Sequence, residues 1–170
     1  MEESDRLYGE AAAEYGPALE RLARAYEADM EKRQDLLQEI HLQLWRSFER
    51  FDARCSMRTW VYRVAHNVAA SHVIRERRTF SRLVSLEELE HLPDKTRFAA
   101  DDHMNLERLA ALIQKLKPLD RQVIVSYLED MDAAAIGEIT GLAPAAVAMR
   151  VHRIKNILAR RFHAGDDHGK

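Results

Sequence analysis

Apolar residues recur at spacings of three and four along almost the whole of this chain, and nowhere do they alternate as a half-buried strand requires. That periodicity allows helices and little else. Composition agrees: 170 residues hold only 6 Gly and 4 Pro, while the strong helix formers Ala, Leu, Glu and Arg abound. With 46% hydrophobic residues the chain can bury a core. Its length suits one ordinary domain or two very small ones.

A first helix is expected over about 5–28, with Leu7, Leu19, Leu22 and Tyr26 among its apolar positions and a break at Gly16-Pro17. A second should run from near Arg33 to Phe48, its inner face made by Leu36, Leu37, Ile40, Leu44 and Phe48. Trp45, on the same amphipathic helix, is expected mostly in the core. After the turn 49-ERFDARCSMR-58 a third helix begins near Thr59 and carries Trp60, Val61, Val64 and Val68. Periodicity then fades over 79–105, apart from a short helix at 85-SLEELEHL-92. A second helical unit starts at Leu106, continues through 119-LDRQVIVSYLED-130 with Asp120 as its cap, and ends in helices at 133–140 and 144–162. The fold class is therefore all-α. Two small helical domains, 1–78 and 106–163, are joined by an acidic linker, 79–105, and followed by a tail, 164–170.

Charge is distributed unevenly although the net charge is only −2. Residues 1–31 carry nine acids and three bases; 75-RERRTFSR-82 has four arginines against one glutamate. The stretch 83–107 has seven acids and two bases, and 150-RVHRIKNILARRFH-163 has five bases and no acid. Two basic patches on either side of an acidic connector suggest two separate contacts with a polyanion. The same alternation would let the linker fold back and mask the patches.

Other classes find no support. One cysteine, Cys55, permits no internal disulfide and suits a reducing compartment. The acidic N-terminal stretch MEESDRLYGEAAAEYG lacks the apolar core of a secretory signal, and no apolar run approaches the roughly 20 residues of a membrane helix. A cytoplasmic protein without membrane contact is expected. The eight histidines form no ligand cluster with Cys55, so neither a metal nor another cofactor is expected. No phosphate loop or activated nucleophile marks an enzyme.

The segment 133–158 has the mechanics of a helix-turn-helix. Ala133 to Thr140 forms a short helix with Ile136 and Ile139 inward, and Gly141 stands where the chain turns through a left-handed conformation. Pro144 takes the first turn of the next helix, where a missing N–H costs nothing. Val147, Val151, Ile154 and Leu158 then make an apolar stripe that leaves Ala145, Met149, His152 and Arg153 outward, with Arg150 at its edge. The N-terminal part of such a helix enters the major groove. Here it offers mostly methyl groups, and the bases beyond it suit phosphates, which position a protein without reading sequence.

With the first domain beside it, this motif resembles the sigma-70 family of transcription initiation factors, in its small extracytoplasmic-function type (group IV), which keeps only sigma regions 2 and 4. The stretch 35-DLLQEIHLQLW-45 is similar to the family's polymerase-clamp-binding helix, and 58-RTWVYRVAHNVAASHVIRERR-78 to its promoter-melting and −10-reading helix, with Trp60, Ala65 and Asn67 on the motif positions. The stretch 118–158 resembles the −35-reading helix-turn-helix without a gap. The resemblance implies core RNA polymerase, through its beta-prime clamp and beta flap, and promoter DNA as partners, with an anti-sigma factor as a further one. Asp35, Gln38 and Glu39 would bind the polymerase. Arg58, Trp60, Arg63, Asn67, Arg75, Arg77 and Arg78 would contact the −10 element. Ala145, Ala146, Met149, Arg150, Arg153 and Lys155 would face the −35 element.

The departures are specific. Ser71 and Ile74 stand where the family often has Asp and Arg; Ala134-Ala135 replaces an acidic pair; Ala143, Ala146 and Ala148 replace Ser, Thr and Lys. They leave open whether the second unit reads −35 sequence or senses DNA shape through phosphates. The alternative to a full initiation factor is a divergent sigma-like regulator, or a protein-interaction module, with weakened −35 reading.

Overall fold

A computed structural model describes residues 2–77, 83–92 and 102–163, with Arg77, Asp102, His103, Met104, Phe162 and His163 described as backbone only. Its helices are α1 (Glu2–Tyr26), α2 (Met30–Ser47), α3 (Met57–Arg77), α4 (Leu86–His91), α5 (Asp102–Ile113), α6 (Pro118–Leu128), α7 (Ala133–Thr140) and α8 (Pro144–His163), with a 3-10 turn at Phe48–Arg50. No strand is formed among the described residues; Val84 makes one isolated bridge to Leu116.

Helices α1, α2 and α3 pack on one another around Leu19, Leu22, Leu36, Ile40, Leu44, Val61, Ala65 and Ala69, all nearly inaccessible to solvent. The expected break at Gly16-Pro17 does not occur, and α1 runs through Pro17 without interruption. Proline costs a helix one hydrogen bond and crowds the preceding turn. Here Ala11 on one side and Ala18 and Leu19 on the other are buried in the same core, so tertiary packing outweighs the local penalty while Pro17 itself faces solvent. Trp45 also departs from expectation. It is 38% exposed, and its indole Nε1 donates to Asp5 Oδ1 at 2.8 Å. The inner stripe of α2 is Leu36, Ile40 and Leu44, so Trp45, one residue further on, lies about 100° round the helix.

The second unit, α5 to α8, surrounds Ile113, Leu116, Val123, Ile124, Ile136, Val147, Ile154 and Ile157. Its first helix starts at Asp102, ahead of the expected Leu106. Asp120 does not cap α6: Lys117 takes that position without a side-chain bond, and Pro118 opens the helix. Asp120 is instead buried and receives Arg150 Nη1 at 2.6 Å. Helix α4 is started by a capping box at Ser85 and Glu88 and lies along α8 with Leu86 and Leu89 buried.

The two units meet: α3 packs on α7 and α6, and α1 on α5 and α6. The centre of that interface is polar. Tyr26 OH lies 2.9 Å from His66 Nδ1, and Ser126 Oγ lies 3.1 Å from Nε2. A neutral imidazole satisfies both, one ring nitrogen donating and the other accepting. Burial holds the His66 pKa down at about 3. Beside it Arg121, only 2% exposed, donates to the carbonyls of Leu116 at 2.7 Å, Tyr26 at 3.3 Å and Gln114. Burial lowers its pKa to about 10.

An unfolded histidine titrates near pH 6.5, so between that pH and about 3 the unfolded chain holds a proton that the folded His66 refuses. Stability from this group is complete above about pH 6.5 and is lost as pH falls through that window. Urea unfolding of the wild type should therefore lose about 2 kcal/mol more between pH 7 and pH 5 than that of His66→Gln. Equal losses in the two proteins would show that His66 is not the source.

Candidate nucleic-acid interface

Positions Trp60, Val64, Asn67, Ser71 and Arg75 lie three or four residues apart and fall on one face of α3. Across from them α2 and the following turn bring Glu39, Gln43, Arg46 and Arg50, and the two rows line an open cleft of about 420 Å³. Three guanidinium groups against one carboxylate make this cleft positive. Trp60 is half-buried at its end. Its Nε1 donates to Ser47 Oγ at 2.9 Å, and its ring centroid lies 5.3 Å from that of Phe51. Asn67 and Arg75 are exposed. Such a cleft offers an aromatic edge, an amide and cationic groups, which an unstacked base and its phosphates can use.

The expected −10 set is thus divided. Trp60, Asn67 and Arg75 share the cleft. Arg58 and Arg63 do not reach it: Arg58 Nη2 donates to the Glu129 carbonyl, and Arg63 Nε to the Glu138 carbonyl at 3.2 Å. Arg78 and the Arg77 side chain lie outside the described residues. Arg46 and Arg50 are additions that sequence reasoning missed. Arg46 continues the face of Glu39 and Gln43 on α2 and Arg50 lies in the turn that follows, but only the packing of α2 on α3 turns these residues into a wall of the cleft.

On the neighbouring surface of α2, Asp35 and Gln38 are exposed and Glu39 is half-buried, with Glu39 Oε1 accepting from Gln43 Nε2 at 2.8 Å. These three present acceptors and an amide to solvent beside the buried Leu36 and Ile40.

The helix-turn-helix has the expected parts. Asp132 caps α7, accepting from the Ala135 N–H at 2.8 Å. Gly141 adopts φ 80° and ψ 5°, and its N–H returns to the Gly137 carbonyl at 2.8 Å. Helix α8 starts at Pro144, and the chain bends by 100° between the two helices, within the range usual for this motif. Val147, Val151, Ile154 and Leu158 are buried as a stripe, whereas Ala145, Ala146, Ala148 and Met149 are exposed. Every base of the expected −35 set has an internal partner. Arg150 pairs with Asp120 at 2.6 Å; Arg153 pairs with Glu87; Lys155 donates to Tyr127 OH at 3.0 Å and lies 5.0 Å from its ring centroid. Further along, Arg160 pairs with Glu90 at 2.6 Å. Glu87 and Glu90 belong to α4, so part of the acidic linker does lie over the second basic patch.

Among the described residues no three His, Cys, Asp or Glu side chains converge as a metal site requires. None of the described helices is by itself long and apolar enough to cross a membrane.

Comparison with known proteins gives concordant matches to both units. Residues 11–79 match the family Sigma-70 region 2, and residues 106–158 match Sigma-70, region 4. The RNA polymerase sigma factor CnrH of Cupriavidus metallidurans is 25% identical over 174 residues, covering 96% of this chain and 91% of that protein. The ECF RNA polymerase sigma factor SigC of Mycobacterium tuberculosis is 30% identical over 135 residues, 79% of this chain and 72% of its own. SigW of Bacillus subtilis, also an ECF RNA polymerase sigma factor, is 24% identical over 139 residues, 76% and 74% of the two chains. A solved structure, that of CnrH in complex with the cytosolic domain of CnrY, shares the fold with a TM-score of 0.68 at 22% identity, covering 94% of this chain and 90% of that one.

The turn of the helix-turn-helix depends on Gly137 as well as Gly141. A Cβ on Gly137 would sit 2.6 Å from the Leu142 carbonyl oxygen, which is backbone and cannot swing aside. Helix propensity alone would favour alanine by about 1 kcal/mol, yet the clash outweighs it. Gly137→Ala should lower stability by about 1–3 kcal/mol in urea unfolding, and a stabilised variant would show that the turn yields.

Proposed function

The chain belongs to the sigma-70 family of transcription initiation factors, in its extracytoplasmic-function type, and from that premise we propose how its two units divide the work on core RNA polymerase and promoter DNA. The observation that carries the reading is the positive cleft between α2 and α3, lined by Trp60, Asn67, Arg46, Arg50 and Arg75. Taking one base out of a duplex costs a few kcal/mol, and stacking on an aromatic ring returns about 1–3 kcal/mol. In this reading the cleft receives a base and backbone of the separated −10 strand. Trp60 borders the base, Asn67 meets its polar edge, and the arginines hold phosphates. Arg77 and Arg78, next along the chain, would extend the phosphate track, with Arg58 and Arg63 joining once released from the second unit.

Asp35, Gln38 and Glu39 dock on the polymerase, against a basic surface of its beta-prime clamp. The exposure of Asp35 and Gln38 on a helix whose opposite face is locked in the core supports this. The second unit sits near the beta flap and lays α8 against the −35 element. There Ala145, Ala146 and Met149 meet the major groove, while Arg150, Arg153 and Lys155 reach phosphates. Methyl groups make no bidentate bonds to bases, which favours shape and backbone sensing over direct reading at −35. A regulatory protein partner of the anti-sigma kind belongs to the proposal as well. The related CnrH has been solved with the cytosolic domain of CnrY, and the exposed Met149 and Leu128 are apolar surface that a protein can cover. The protein acts by binding rather than catalysis, in the cytoplasm where polymerase works.

The reading is tested by in vitro transcription with core polymerase on randomised promoters, followed by sequencing of the starts. Transcripts should share a −10 element with at most a weak −35 preference; absence of transcripts despite polymerase binding would favour the divergent regulator. Asn67→Ala should change which −10 sequences are chosen. Arg75→Ala should weaken single-stranded −10 oligonucleotide binding for all sequences and lower the salt slope by about 0.7. Asp35→Arg should reduce core polymerase affinity about tenfold or more while leaving oligonucleotide binding intact. Loss of both activities in Asp35→Arg would mark a folding defect rather than a docking residue.

A further inference from the structure

Two contacts tie the start of α1 to the outer side of α2. Asp5 Oδ1 accepts from the Trp45 indole Nε1 at 2.8 Å. One turn further along α1, the Tyr8 hydroxyl lies 3.1 Å from His41 Nδ1, and the two rings meet edge to face with centroids 6.0 Å apart. Burial lowers the His41 pKa, so the imidazole is neutral near pH 7 and one of its nitrogens can accept the hydroxyl proton. Residues 5 and 8 of one helix thus meet residues 45 and 41 of its antiparallel neighbour in register. Arg6 is occupied elsewhere, pairing with Glu3 and Glu10, which leaves the Asp5 carboxylate to the indole.

The side chains so held border a stripe that packing leaves open. Asp35, Gln38, Leu42 and Trp45 recur at intervals of three and four residues and therefore share one face of α2. All four are exposed, Leu42 by 40% and Trp45 by 38%, although the opposite face of the helix is locked in the core. Two neighbouring apolar side chains rimmed by an acid and an amide mark a protein contact, and tryptophan is among the residues that most often anchor one. The stripe is continuous with the docking residues Asp35 and Gln38, so its occupant is the same basic surface of the polymerase clamp. A free indole has to be immobilised on docking, whereas one already fixed by a bond has less freedom to lose. We propose that the first two turns of α1 are a positioning strip, in which Asp5 fixes the Trp45 indole and Tyr8 fixes the His41 ring, so that the stripe on α2 meets the polymerase preorganised. The docking half rests on the polymerase-binding reading above; the hold of Asp5 on Trp45 does not.

Titration of the full chain against core polymerase tests the strip. Asp5→Ala should weaken binding about two- to tenfold, the affinity equivalent of one more side chain to be ordered on docking. Asp5→Asn removes the same charge but keeps an oxygen that can accept from the indole, and it should bind like the wild type. Tyr8→Phe should weaken binding by a smaller factor, since its bond joins neutral groups. Glu10→Ala, on the same helix and paired with Arg6, changes the net charge equally and is the control that should bind unchanged. In a Trp45→Phe background, which has no indole N–H, Asp5→Ala should have no further effect. An Asp5→Ala that binds like the wild type, an Asp5→Asn as weak as Asp5→Ala, or a loss that persists in the Trp45→Phe background overturns the positioning role of Asp5; an unaffected Tyr8→Phe overturns that of Tyr8. Far-ultraviolet circular dichroism should be the same for every variant, since Asp5 lies outside the core. In nuclear magnetic resonance of the free protein, the Trp45 indole N–H signal, identified by its loss in Trp45→Phe, should shift in Asp5→Ala while that of Trp60 stays in place. An unshifted Trp45 signal overturns the contact itself. If Asp35→Arg leaves polymerase affinity unchanged, the docking reading falls, while the indole signal still decides whether Asp5 holds Trp45.

Discussion

Helical units of roughly 60–75 residues lie close to the size at which a hydrophobic core only just outweighs the entropy of ordering the chain. Everything in this structure answers to that constraint. Neither the three helices of the first unit nor the four of the second has much apolar surface to spare, and both gain by burying some of it against each other. The buried apolar residues of both units form one cluster, yet the contact has a polar centre. Its centre holds a neutral imidazole, His66, bonded to Tyr26 and Ser126, and a buried guanidinium, Arg121, turned onto three carbonyls. Its edge holds the Arg21–Glu129 pair.

Much of the fold could be read from periodicity because each helix carries its own apolar stripe. The stripe of α8, Val147, Val151, Ile154 and Leu158, needs no knowledge of the rest of the chain, and Gly141 and Pro144 mark the turn by backbone chemistry alone. The misreadings lie where tertiary context overrides local signals. Pro17 reads as a break, but the core holds helix on both sides of it. Asp120 reads as a cap, but its carboxylate is taken by Arg150 from thirty residues away. Trp45 reads as core by residue type, yet its place on α2 turns it toward Asp5.

The site was legible in its motif residues and opaque in its walls. Trp60 and Asn67 could be singled out because a family pattern places them; that they share a cleft with Arg46 and Arg50 follows only from the way α2 lies on α3. Arg58 and Arg63 were legible as bases but not as partners of the second unit. A carbonyl acceptor such as that of Glu129 or Glu138 leaves no trace in sequence, since every residue has one. The same holds for α4. The alternation of charge suggests that an acidic linker covers a basic helix, whereas the pairing of Glu87 with Arg153 and Glu90 with Arg160 depends on where Leu86 and Leu89 bury.

The polar centre of the contact between the units sets how much its bonds add to stability. An apolar interface loses about 25 cal/mol for each Å² re-exposed, so a large one would fuse two small units permanently. A hydrogen bond surrendered to water costs only about 1 kcal/mol net, and an ion pair at the surface often less. Separation also returns hydration to His66 and Arg121, groups whose burial disfavours their charged forms. The polar centre therefore contributes less than its number of bonds suggests, and the apolar residues that join the two units in one cluster contribute the rest.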